Sequence, residues 1–164
     1  MAQKFVRYNE KYLDPDPKYN NKLATIFINA IMQEGKKAKA QNIFYKAIDQ
    51  FRQDVHLDED ESVIEGFEQA IEHVKPQIEV RSRRVGGATY QVPMEVDPRR
   101  KTSLAIRWIM EAVENQRQRH GIPAHDAVAQ ELIDAYNQEG SAINTRQNVH
   151  RMAEANKAFA HLAW

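Results

Sequence analysis

Cysteine is absent from the 164 residues, which removes disulfide frameworks, thiol catalysis and cysteine-bound zinc together. Net charge is absent as well: 23 Lys and Arg stand against 23 Asp and Glu. Taken alone, that balance argues against a nucleic-acid partner. No apolar run approaches the ~20 residues of a membrane helix, and Met1 to Tyr12 lacks a signal-peptide core. The expectation is a cytoplasmic protein with no membrane partner. What remains is ordinary globular composition, 42% hydrophobic and 28% charged, at a length that buries one substantial core without crosslinks or metal.

Signatures of chemistry are missing too. Gly35-Lys36-Lys37 lacks the upstream glycine and the Ser/Thr of a phosphate-binding loop. Asp58 to Glu61 lacks the alternating ligands and central glycine of a calcium loop. The six histidines are scattered, with no His-x-x-x-His pair, and no serine sits in a nucleophile elbow. No enzyme activity, cofactor, metal or small-molecule substrate is expected.

The zero hides a pattern. By segment, the net charge is +4 over residues 1–50, −6 over 51–75, +4 over 76–107, −4 over 108–140 and +2 over 141–164. Neutrality is a cancellation of blocks, and blocks can fold into opposed faces.

Residues 1–19 read as an extended arm. Asp14-Pro15-Asp16-Pro17 resists helix, and cations interleave with aromatics from Lys4 and Arg7 to Lys18 and Tyr19. From Asn20 the apolar period is helical: Leu23, Phe27, Ala30 and Ile31 form one stripe. Asn20 or Asn21 is the candidate cap and Gly35 the left-handed residue past the end. A second helix, about Lys37 to Arg52, buries Ala40, Ile43, Phe44, Ala47, Ile48 and Phe51. Asp54 to Glu61 reads as a solvated loop, and Ser62 with Glu65 has capping-box spacing for a third helix over about Val63–Val74. The period then drops to two on both sides of Gly86-Gly87, a β-hairpin over about residues 77–96. Asp97-Pro98 starts a fourth helix running to about Gln118, with Trp108 on its core side. A fifth runs from about His125 to Glu139, closed by Gly140. A last one from about Asn144 carries Val149, Met152, Ala153 and Phe159, then frays toward Trp164. The predicted fold is mainly α, a single domain of about six helices with a protruding two-stranded hairpin.

The basic features differ in kind from a solvated surface. Arg81, Arg83 and Arg84 crowd the hairpin, and a guanidinium presents a planar fork suited to phosphate. A two-stranded ribbon can also enter a nucleic-acid groove. A solvated edge strand or an acidic protein partner are the other readings of the same residues. Three further patches, the arm, Lys36/Lys37 and Arg99-Arg100-Lys101, alternate with acidic segments.

Several strings are specific. NKLATIFI (21–28), IFYKA (43–47), VRSRRVGGATYQVP (80–93), AIRWI (105–109) and HRMAEANKAFAH (150–161) resemble, in order, the signature of the small-subunit ribosomal protein seven family. Asp14 to Lys18 resembles its N-terminal element, and the likeness runs from about residue 12 to the end, in bacterial or organellar form. The resemblance implies an arm over 1–19 and, over 20–164, a helical rRNA-binding domain with a hairpin. It implies a structural protein that binds the 3′ major domain of small-subunit rRNA and nucleates head assembly. The hairpin would lie near the exit-site tRNA and the mRNA path, with small-subunit ribosomal proteins nine and eleven as neighbours. The rRNA-facing residues it implies are Lys4, Arg7, Lys36, Lys37, Arg81, Arg83, Arg84, Arg99, Arg100, Lys101, Arg107, Arg151 and Lys157. Those near tRNA and mRNA are Arg83, Arg84, Gly86, Gly87, Thr89 and Tyr90.

Departures from the family pattern are also specific. The family is strongly basic with an Arg-rich start, whereas this chain is neutral and begins MAQKFVR. Residues 54–62 are longer and acidic, and 114–126 are extended. Two rival readings stay open on the residues alone. One is a helix-turn-helix DNA-binding module on the first two helices; the other is a helical protein-interaction domain docking through its acidic helices.

Overall fold

A computed structural model describes residues 13–57 and 60–163. Its elements in order are α1 (Lys22–Ile31), α2 (Lys37–Val55), α3 (Asp60–Val74), β1 (Ile78–Val85), β2 (Ala88–Glu95), α4 (Pro98–His120), α5 (Ala124–Tyr136), α6 (Gly140–Ala155) and a 3-10 helix (Lys157–Leu162). This matches the mainly helical domain with one antiparallel hairpin expected from periodicity.

The core forms where the apolar stripes of the helices meet. Phe27 of α1, Phe44 of α2 and Phe67 of α3 are fully buried. Their rings form a triangle with centroids 5.4–5.7 Å apart, a spacing that favours tilted and edge-to-face aromatic contact. α5 packs against α2, α3, α4 and α6. Its buried Ala127, Ala129 and Ala135 let those backbones approach closely, while Val128 and Leu132 fill the space between. Phe51 meets Tyr136 edge-on at 5.8 Å.

Several boundaries move, each for a local reason. Asn21 caps α1 by accepting from the Ala24 N–H at 3.0 Å. α2 runs one turn further, to Val55, and ends in left-handed His56 (φ 57°). α3 begins at Asp60, so Ser62 lies inside the helix and is not its cap. Gly140 does not close α5. The chain turns through left-handed Gln138, and Gly140 (φ 88°) opens α6. A Cβ on Gly140 would stand 2.7 Å from Asp134 Cβ and 3.3 Å from Glu131 Oε1, so the position needs glycine for space as well as for φ. α6 buries Ala142, Ile143 and Ala153, whereas Met152 is 51% exposed.

Residues 16–19 are tied to the helical body. Asp16, only 2% exposed, accepts from the backbone N–H groups of Lys18 and Tyr19 and from the Tyr45 hydroxyl at 2.7 Å. Burial and this bond to Asp16 push the Tyr45 phenol up to about 12. Tyr19 packs edge-on against Tyr45 at 6.0 Å, and the Lys18 ammonium lies over both rings. Tyr19 and Lys18 thus hold the chain against α2. Lys4 and Arg7 lie outside the described residues.

Candidate nucleic-acid interface

The hairpin is closed by Gly86 and Gly87, both left-handed (φ 58° and 86°), the two-residue turn whose twist matches paired strands. A Cβ on either would meet nothing within 4 Å, so the demand is purely conformational. Register pairs Glu79 with Met94, Arg81 with Val92, Arg83 with Tyr90 and Arg84 with Thr89. Alternation then puts Glu79, Arg81, Arg83, Tyr90 and Val92 on one face and Ile78, Val80, Ser82 and Arg84 on the other. The face that carries buried Val92 therefore also carries the acid and two arginines, while Ile78 is left exposed.

Glu79 is the hub of this face, at 7% exposure. Arg100, from the first turn of α4, donates its Nε to both carboxylate oxygens, at 2.7 and 2.8 Å. Arg81 donates its Nε to Oε1 at 2.6 Å, and its Nη2 lies 2.5 Å from the same oxygen. Burial alone would raise this carboxyl, but the hydrogen bonds and charges of Arg100 and Arg81 outweigh it and hold it below the usual carboxylate range. Next to it, Lys101 donates to Gln77 Oε1, and the Gln77 N–H donates to His150 Nε2 of α6 at 3.1 Å. Burial, aided by the charge of Arg146, lowers the His150 pKa, which suits an acceptor nitrogen. The hairpin base is thus tied to α4 and α6.

The far end is tied differently. Arg83 donates to the Leu162 carbonyl, and Tyr90 packs on Phe159 with centroids 5.2 Å apart. The 3-10 helix, expected as a frayed end, is a latch across β2. Arg84, Gly86, Gly87 and Thr89 remain exposed at the tip.

The other cations divide between neighbours and outliers. Arg99 is exposed and lines a shallow groove with Lys75, Asp97, Pro98, Arg100 and Thr102. Lys75 stands just past the end of α3, before Pro76. Its place beside Arg99 and Arg100 comes from the tertiary meeting of α3 with α4, and periodicity carries no signal for that. Arg107 is half-buried two turns beyond Arg100, on the same side of α4. Lys36 and Lys37 are exposed at the start of α2, with Lys36 paired to Glu34. Arg151 is exposed on α6, and Lys157 lies 3.4 Å from Glu154. Trp108 packs against the core.

The fold and this surface define a class: a helical scaffold that presents an arginine-rich hairpin, braced by ion pairs. Comparison with known proteins narrows it. The family model described as "Ribosomal protein S7p/S5e" matches residues 3–157. "Small ribosomal subunit protein uS7" of Fervidobacterium nodosum is 51% identical over 158 residues, covering 96% of this chain and 97% of that protein. The protein of the same name from Helicobacter hepaticus is 52% identical over 149 residues, covering 91% and 92%. The chain belongs to the ribosomal protein S7p/S5e family, a family of structural, non-enzymatic proteins.

Proposed function

We propose that this chain is a structural constituent of the small ribosomal subunit in the cytoplasm, binding the 3′ major domain of its rRNA and nucleating head assembly. The hairpin tip, with Arg84, Gly86, Gly87 and Thr89, faces the exit-site tRNA and the mRNA path, and proteins nine and eleven of the subunit are its neighbours. One observation carries the reading. The hairpin base and the start of α4, apart in sequence, meet where Arg81 and Arg100 share the buried Glu79 carboxylate, with Lys101 bonded to Gln77 and Arg99 lining the groove beside them. Such a surface offers forked donors to phosphate, and the family match supplies rRNA as the source of those phosphates.

The test is selective binding by the full chain at one salt concentration. An RNA fragment of the 3′ major domain should bind more tightly than a 5′-domain fragment or duplex DNA of equal length. Equal affinity for all three would reject the assignment, and preference for the DNA would favour a helix-turn-helix module.

A further inference from the structure

Glu79 is an odd residue at a polyanion-binding surface. It is an acid, it is buried, and it sits between two arginines of the proposed interface. Both guanidinium groups converge on one oxygen, Glu79 Oε1, at 2.5–2.7 Å. One carboxylate offsets one of the two charges, so the cluster keeps a net single positive charge. The two side chains stay partly open to solvent, at 34% and 40%. The shallow groove past Arg100 and Arg99 is open beside them, with Asp97 its one acidic lining residue.

We infer that Glu79 is a positioning residue: it holds Arg81 and Arg100 as a preformed two-guanidinium seat for one RNA backbone phosphate. The inference rests on the proposed RNA-binding function and adds to it the sign of an effect. A guanidinium on a mobile stem must be ordered when it binds, and that cost is saved when the fold orders it beforehand. Glu79 also links β1 to α4, so the same contacts set the angle at which the hairpin leaves the body. Simple electrostatics predicts the reverse outcome for its loss, because removing a negative charge from a basic surface should tighten RNA binding.

The experiment is RNA binding by the full chain, using the 3′ major domain fragment and the variants E79Q, R81A/R100A and E79Q/R81A/R100A. Each is assayed below the onset of its own unfolding, read by circular dichroism. Positioning predicts that E79Q binds roughly tenfold more weakly although its net charge is more positive. In the R81A/R100A background the same substitution should leave RNA affinity unchanged while raising the melting temperature, because it relieves an unpaired buried carboxylate. Equal or tighter binding by E79Q would overturn the inference. So would the same loss in both backgrounds, which would make Glu79 merely structural. If the unmodified chain does not bind the fragment, the proposed function falls and this inference with it; if it binds and E79Q binds as well, only the inference falls.

Discussion

Among the described residues two glutamates are buried, and they live opposite lives. Glu79, at the foot of the hairpin, is surrounded by Arg81 and Arg100 and stays ionised. Glu131, on α5, is fully buried. It accepts from the Ala142 N–H at 2.9 Å and from Gln116 Nε2 at 3.2 Å, with Asp134 nearby. Burial, reinforced by Asp134 and only partly offset by the Ala142 and Ser141 N–H groups, raises its pKa to about 7. Where cations surround the acid, the carboxylate organises a surface for an anionic partner. Where only backbone and amide dipoles do, it staples α4, α5 and α6 together at an electrostatic cost.

The two carboxylates should respond oppositely to the same Glu→Gln substitution. At pH 8, E131Q should raise stability by on the order of 1–3 kcal/mol, since it removes a carboxylate forced to ionise in the core. E79Q should lower stability by on the order of 1–3 kcal/mol, since it removes charge-assisted hydrogen bonds. Denaturant melts of both variants check the pair; the same sign at both sites would erase the distinction.

The pH profile separates the two further. Glu131 binds its proton more tightly folded than unfolded. Its contribution is present below about pH 4, the unfolded value, and is lost as pH rises toward about 7. Glu79 has the opposite sign: its contribution holds above about pH 4 and is lost as pH falls through its lowered value. Stability measured from pH 3 to 8 should therefore lose its decline between about pH 4 and 7 in E131Q, and part of its acid limb in E79Q.

A smaller effect tests the latch. Removing the Phe159 ring should raise amide exchange around Arg83 and Tyr90 with at most about 1 kcal/mol lost globally, because the contact is a partly exposed aromatic pair. Smallest of all is R84A, on the outer face of the hairpin. Melting should shift by less than about 0.5 kcal/mol, while the salt dependence of RNA binding falls by about one phosphate.

Much of this was legible in sequence. Helical stripes found the core phenylalanines Phe27, Phe44 and Phe51, and the alternating runs around Gly86-Gly87 found the hairpin to within a residue or two. The family strings found the identity. What local pattern could not supply was sidedness. Arg81, Arg83 and Arg84 are equivalent as neighbours in a string. The structure gives them three fates: paired to Glu79, bonded to the Leu162 carbonyl, and exposed at the tip. The distinction depends on α4 and the 3-10 helix arriving from 20 to 80 residues away. The same holds for Gly140, whose need for glycine comes from Glu131 and Asp134 pressing on it, and for Tyr19, whose ring belongs to the Tyr45 contact.

The central claim is that a chain of zero net charge binds RNA through locally assembled cations. The direct measurement is the affinity of the full chain for the 3′ major domain fragment across a range of salt. Log K should fall linearly with log salt, by ~0.9 for each duplex phosphate neutralised, with a total slope corresponding to several phosphates. A flat response would mean that the neutrality of the whole chain governs it, and would contradict the account.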